Sequence, residues 1–400
     1  MTAHTSGPPA IVLGGRENAL AVARSLGRRG IAVHALADKG STLTANSRYV
    51  TSSLAPGRVG TEEAWTAWLD AGPGEGVLIP CGDLGLEYLA RNRARLEGMG
   101  YTPIEMCDDV TLAMLDKERT NELARACGVD VPRTRRVRTR EEATAVAQDF
   151  EYPCAVKPCD SYRFRAIFGQ KAFVVSSAAE LEAAFDRILP SEMEVIVTEI
   201  ITGPGGERFG YCSYYSYLDA DGEPLFHFTK LKPREYPLVF GGGTYHVSKW
   251  DPEVAEVGLR FFQGVGLRGI GNVEFKRDGR DGRLKLIECN PRITAADRLV
   301  QLAGLDLSYL AYRRALGLEV EPFGSFRDGV REWYPYGDFL AFRDARRQGL
   351  ATTTAWLRSV AYRQCFPFFD WRDPGPTLAN TKSYLRSLLP GRRAAGHGQS

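Results

Sequence analysis

The pattern of apolar and polar positions opens on a short apolar run, Ile11 to Leu13, followed by Gly14-Gly15 and a helical stretch from Asn18 to Arg29. Gly30 ends that helix, and Ile31 to Leu36 reads as the next strand. Strand, glycine turn, helix, strand is the opening of a parallel sheet, because parallel neighbours need a crossover and a helix supplies it. Gly76 to Pro80 repeats the strand pattern, with Cys81-Gly82-Asp83 at its carboxyl end. Ligands of such sheets bind beyond the carboxyl ends of the strands. Arg16, Glu17 and Asp83 are therefore candidates to face a substrate, although a turn-capping role suits Asp83 equally well. A dinucleotide fingerprint would need glycine where Arg16 and Ala19 stand, which argues against NAD.

Farther along, Thr111 to Cys127 has helical periodicity, stopped by Gly128 and Pro132. From Tyr152 the period changes to two. Cys154 to Val156, Ala172 to Val175, Val195 to Thr198, Tyr211 to Tyr217 and Leu225 to Leu231 read as strands, with helices at Ala178 to Ile188 and Glu253 to Gly264. Gly271 to Phe275 and Leu284 to Cys289 flank the turn Arg277 to Arg283, whose Asp/Gly pairs suit a hairpin. Gly241-Gly242-Gly243-Thr244 reads as a mobile loop. Beyond Arg331 the periodicity weakens. The aromatic group Phe366, Phe368, Phe369 and Trp371 is expected to dock on the body, and Gly391 to Ser400 to be disordered.

Composition narrows the class. Four hundred residues with 44% hydrophobic content suit two or three globular domains, and a net charge of +2 argues against nucleic acid as the main partner. No run of 18 apolar residues exists, and the polar stretch Met1 to Ala10 lacks a signal-peptide core, so no membrane role is expected. The eight cysteines form no C-x-x-C and no zinc spacing with the five histidines, which points to reduced thiols in a cytoplasm. One asymmetry remains. Forty-one arginines stand against ten lysines, and lysine is the compact point charge suited to phosphate.

Strand alternation sorts the chemistry. Glu288 and Asn290 share one face of their strand, with Ile287 and Cys289 opposite; Asn272 and Glu274 share a face of the partner strand. The hairpin would set Glu274 beside Glu288 and Asn290, hard oxygen ligands of the type Mg²⁺ takes while leaving positions for phosphate oxygens. A solvated polar sheet face has the same pattern. Lys157 follows a β-run and precedes Pro158, Lys230 and Lys232 share a strand face, and Lys117 opens a helix after Asp116. Each is a plausible phosphate ligand, with a snorkelling surface lysine as the alternative. The glycine clusters at 203–206 and 241–243 let backbone amides approach an anion, or are plain turns; neither is a Walker loop.

Taken in order, these residues resemble the ATP-grasp superfamily. The elements are Asp116-Lys117, Pro153-Cys154-Ala155-Val156-Lys157-Pro158, Glu199-Ile200-Ile201 eight residues before Glu207, then Glu274 and Glu288-Cys289-Asn290-Pro291-Arg292. The match covers roughly residues 10 to 320 and is most similar to the carboxylate–amine ligase branch. It implies an α/β chain with a Rossmann-like domain over 1–112 and a two-subdomain grasp over 113–330, α+β in character. The lid would span about 150–202, and 331–400 would form a C-terminal extension. It implies ATP and one or two Mg²⁺ ions, or Mn²⁺, as cofactors. Lys117 and Lys157 would contact phosphates, Glu199 to Ile201 would meet adenine, and Glu207 would hold the ribose. Glu274, Glu288 and Asn290 would hold metal. Arg292 would steady the phosphoryl group or oxyanion, and Lys232 or Arg234 would add a phosphate contact. The expected reaction joins a small-molecule carboxylate to an amine, an amino acid or peptide, through an acylphosphate; a homodimer is compatible with it. A carboxyphosphate-using carboxylase and a nucleotide-binding protein without turnover are the alternatives. The lid loop Asp160 to Gln170 departs from the family pattern: it has one glycine and carries Arg163 and Arg165.

Overall fold

The computed structural model describes residues 7–38, 43–55, 60–158, 164, 167–170, 172–203 and 210–387. Among them the chain forms three sheets. Strands β1 (Ala10–Leu13), β2 (Val33–Leu36), β3 (Ser52–Leu54), β4 (Gly76–Pro80) and β5 (Tyr101–Pro103) make a parallel sheet in the order β3-β2-β1-β4-β5. β1 and β4 are apolar and buried along their whole length, as parallel strands covered on both faces must be. The Glu17–Gly27 helix crosses between β1 and β2 and is buried from Asn18 to Leu26. The turn between them needs glycine. Gly14 and Gly15 have φ of 67° and 80°, and a Cβ on Gly15 would lie 2.5 Å from that of Cys81.

Strands β6 (Thr134–Val137), β7 (Cys154–Pro158), β8 (Phe173–Val175) and β9 (Val195–Glu199) form a small antiparallel sheet ordered β6-β9-β7-β8. Alternation divides its faces. Val156, Phe173, Val195 and Val197 pack on the Arg140–Asp149 and Ala178–Ile188 helices, while Lys157, Val174, Ile196 and Thr198 turn into a cleft. The third sheet joins β10 (Tyr211–Leu218), β11 (Phe228–Tyr236), β12 (Gly242–Ser248), β13 (Gly269–Arg277), β14 (Leu284–Asn290) and β15 (Arg331–Trp333) in the antiparallel order β14-β13-β10-β11-β12-β15.

Four expectations change. The helix over 111–127 is two helices, Asp108–Leu115 and Lys117–Ala126; Asp116 between them is extended (ψ 119°) and caps the second by accepting from the Glu118 and Arg119 amides at 2.8 and 2.9 Å. The glycines at 242 and 243 are not a mobile loop but the start of β12, paired with Tyr236 and Glu235. The strand expected at Leu225 to Leu231 begins at Phe228 and runs on to Tyr236. Phe366 and Phe368 do pack on Trp333 and Tyr334, whereas Trp371 is 86% exposed. Gly391 to Ser400 and most of the lid loop, with Arg163 and Arg165, lie outside the described residues.

Candidate active site

The β13–β14 hairpin pairs Glu274 with Glu288 and Asn272 with Asn290, so two carboxylates and the Asn290 amide lie side by side. A bulge follows Glu274: Phe275 pairs with Leu286, leaving Ile287 unpaired. It also alters the expected alternation. Leu286 and Cys289 point into the core, and Ile287 lines the cleft beside Glu288 and Asn290 instead of facing away.

Bulges do the same on β11. Lys230 and Lys232 share a face as read from the sequence, and both are buried. Lys230 Nζ lies 3.2 Å from His246 Nδ1, and burial brings its pKa down to about 8. Lys232 donates to Glu274 at 2.7 Å. Simple alternation would place Arg234 beside Lys232. Register shifts on both sides of Arg234 turn it away, to the buried carboxylate of Asp338 at 2.6 and 3.0 Å, and bring Glu235 within 3.2 Å of Lys232. Burial opposes the charge on Lys232, yet Glu274 and Glu235 outweigh it and hold the ammonium protonated. Glu235 itself is raised to about 7, by burial first and then by Glu274, and its Oε1 is buried without a partner among the described residues.

The small and large sheets line a cleft of about 320 Å³, with Asp83 of the parallel-sheet domain at its edge. Lys117 and Asn121 enter from the capped helix, Lys157 and Thr198 from the small sheet, and Tyr211, Glu235 and Lys276 from the large one. The β-ladder ends at Glu199, so Ile200 and Ile201 leave it and line the cleft. Glu199 turns back, accepting from the Arg133 amide at 2.8 Å and from Arg280 at 3.2 Å. Lys157 lies beneath Phe240, its Nζ 3.9 Å from the ring centre; burial, and then Lys117 nearby, lower its pKa to about 7. Phe240 holds a left-handed backbone (φ 60°), a conformation that costs a bulky residue energy and persists only where its surroundings enforce it. At the rim Arg292 donates to Asp83 at 2.7 Å, linking the end of β14 to the carboxyl end of β4.

Of the residues singled out from the sequence, Lys117, Lys157, Glu199, Ile200, Ile201, Glu288 and Asn290 line this one cleft, and Glu274 and Lys232 adjoin it. Arg234 is committed to Asp338, and Glu207 lies outside the described residues. Glu235, Tyr211 and Lys276 were not anticipated. Glu235 had no signal, because only the bulge puts it there; the double lysine 230/232 was the nearest cue.

No protein-family model matches the chain. Over 244 residues it is 25% identical to D-aspartate ligase of Enterococcus faecium, a match spanning 58% of this chain and 56% of that protein. Among solved structures, an ADP complex of N5-carboxyaminoimidazole ribonucleotide synthetase superposes with a TM-score of 0.63 at 15% identity, covering 86% of this chain and 85% of that one. A biotin carboxylase complex from Campylobacter jejuni gives a TM-score of 0.62 at 15% identity over 81% and 74% of the two chains. A Rossmann-like parallel sheet followed by two antiparallel sheets that close on one cleft is the architecture these structures share with it: the chain has the ATP-grasp fold.

Proposed function

We propose that the chain is an ATP-dependent carboxylate–amine ligase that forms an amide bond and releases ADP and phosphate. The observation that carries this reading is the convergence on one cleft of two phosphate-type lysines, Lys117 and Lys157, with the Glu274–Glu288–Asn290 group. The likeness to D-aspartate ligase supports it, although the chain spans only about half the length of that relative.

In this reading ATP lies between the small and large sheets. The backbone of Ile200 and Ile201 receives adenine, Glu207 holds the ribose, and Lys117 and Lys157 hold the phosphates. The donor set fits a hard divalent cation: two carboxylates and an amide in register, with Glu235 carrying an orphaned buried oxygen nearby. Among the described residues no three His, Cys, Asp or Glu side chains form a closed metal cage, so phosphate oxygens and water would complete the coordination of Mg²⁺, or Mn²⁺, held by Glu274, Glu288 and Asn290. Such an ion neutralises charge on the phosphates. The substrate carboxylate attacks the terminal phosphorus: one oxygen–phosphorus bond forms, the bond to ADP breaks, and an acylphosphate results. The amine then attacks the acyl carbon, loses a proton, and phosphate leaves. Lys232, held charged by its two carboxylates, and Arg292 would offset negative charge. Arg234 serves the fold instead. Asp83, paired with Arg292, would bring the parallel-sheet domain to the reacting group. Closure of the small sheet and of Phe240 would exclude water.

The substrates are small molecules bearing a carboxylate and an amine, an amino acid or peptide. The described cysteines form no disulfide, which suits a reducing compartment such as the cytoplasm, and no described helix is long and apolar enough to cross a membrane. ADP release measured against a panel of carboxylates with and without amines tests the reading. Amine-dependent turnover, abolished by Glu288→Gln with nucleotide affinity largely kept, is expected; turnover that needs bicarbonate and no amine would replace the ligase by a carboxylase.

A further inference from the structure

A second cavity, of about 690 Å³, shares no lining residue with the nucleotide cleft. Its floor is Arg28, at the end of the Glu17–Gly27 helix, with Arg298 and Leu302 of the Asp297–Ala303 helix. One wall is the segment 327–331 that leads into β15, and the other is 363–372. Six arginines (28, 298, 327, 331, 363 and 372) face it against two acids, Asp328 and Asp370, an excess of four positive charges in a chain whose total is +2.

Arginine alone decides nothing in a sequence that has forty-one; its pairing does. Arg93, by contrast, holds both oxygens of Asp108, at 2.7 and 2.8 Å. Here Arg28 and Arg298 share the single carboxylate of Asp370, and Asp328 accepts from the Trp250 amide rather than from an arginine. Among the described residues Arg331 finds only the Gly329 carbonyl at 3.0 Å and the ring of Tyr362. Arg327, Arg363 and Arg372 are exposed and have no ion pair to a described residue. Arg298 Nε is buried with no hydrogen-bond partner among the described residues, and burial together with the adjacent Arg28 depresses its pKa. Crowding like charges and burying a donor both cost free energy that an anion would recover. Guanidinium forks match phosphate and carboxylate oxygens two at a time. The concavity has the size of a small-molecule site.

We propose that this cavity binds a small polyanion, a phosphorylated or polycarboxylic molecule, at a site separate from the nucleotide cleft. The site does not depend on the ligase reading. Both of its walls border β15, since the Cys365 amide donates to the Arg331 carbonyl at 2.7 Å, so the ligand would bind against the edge of the large sheet.

Calorimetry with tripolyphosphate and with citrate tests this on the full chain carrying Lys157→Ala, which removes the nucleotide cleft's main phosphate ligand. The comparison is the same protein with Arg327→Gln, Arg363→Gln and Arg372→Gln added, exposed positions whose guanidinium groups contact nothing the fold needs. Binding that weakens at least tenfold in that variant, and also weakens with added salt, is expected. A response to tripolyphosphate alone identifies a phosphorylated ligand, to citrate alone a polycarboxylate; either supports the site. Failure of both anions at millimolar concentration, equal binding by the variant, or tighter binding of a single-stranded oligonucleotide would overturn it.

Discussion

Burial and the neighbouring Lys117 bring the Lys157 ammonium down to about 7, so near neutrality it is divided between charged and neutral forms. A phosphate contact needs the charged form, and a bound phosphate would return the pKa toward that of an ordinary lysine. Nucleotide affinity is therefore expected to fall as pH rises from 7 to 9, by roughly 50-fold if the whole shift is reversed, with proton uptake on binding. Without nucleotide the sign is opposite. Between pH 7 and the unperturbed value the unfolded chain holds a proton that the folded chain has released, so Lys157 contributes stability that increases with pH. Calorimetry in two buffers of different ionisation enthalpy reads the proton directly. An affinity flat across that window would remove Lys157 from the phosphates, and Lys157→Arg should flatten it by keeping the charge.

Elements were legible where periodicity had room to repeat. The βαβ opening, the strands that line the cleft and the Glu274/Glu288 hairpin follow from apolar spacing and turn residues, and the lysines at 117 and 157 stand at the ends the pattern gave them. The three-residue strands β3, β5 and β15 are too short to carry a period. Bulges are illegible for another reason: they are fixed by the partner strand's ladder, and each one reverses which side chains face the cleft. That is why Ile287 and Glu235 arrived at the site unannounced and Arg234 left it. What Arg234 gained is a fully buried acceptor. Asp338 takes hydrogen bonds from Arg234, Thr244, Trp333 and Trp356, binding the Pro335–Arg347 and Thr353–Val360 helices to β11, β12 and β15. Asp338→Ala would strand these donors and is expected to cost about 3–5 kcal/mol, read as a lowered urea midpoint. A loss under 1 kcal/mol would show that the helices are held by their apolar contacts alone.

On the scale of the whole molecule, residues 365–373 connect the two ends of the structure. Cys365 pairs with β15 of the large sheet, while Asp373 forms a fully buried ion pair with Arg24 of the first helix at 2.9 Å and accepts from Ser47 and the Arg48 amide. Arg24 also donates to the Phe368 carbonyl at 2.8 Å. Asn18 adds a second tie, donating to the Ile293 carbonyl at 3.0 Å just beyond β14. The parallel sheet and the large sheet are thereby fixed to one another. Arg24→Ala removes one partner of a buried pair and is expected to destabilise by about 3–5 kcal/mol, and limited proteolysis should then cut first within 365–375. Unchanged cleavage there would mean that aromatic packing alone retains the segment. The same pair orders events during synthesis. Arg24 leaves the ribosome long before its carboxylate, which is made 349 positions later. The first domain can collapse early only with an unpaired guanidinium in its core, so its final stability is deferred until Asp373 has been translated.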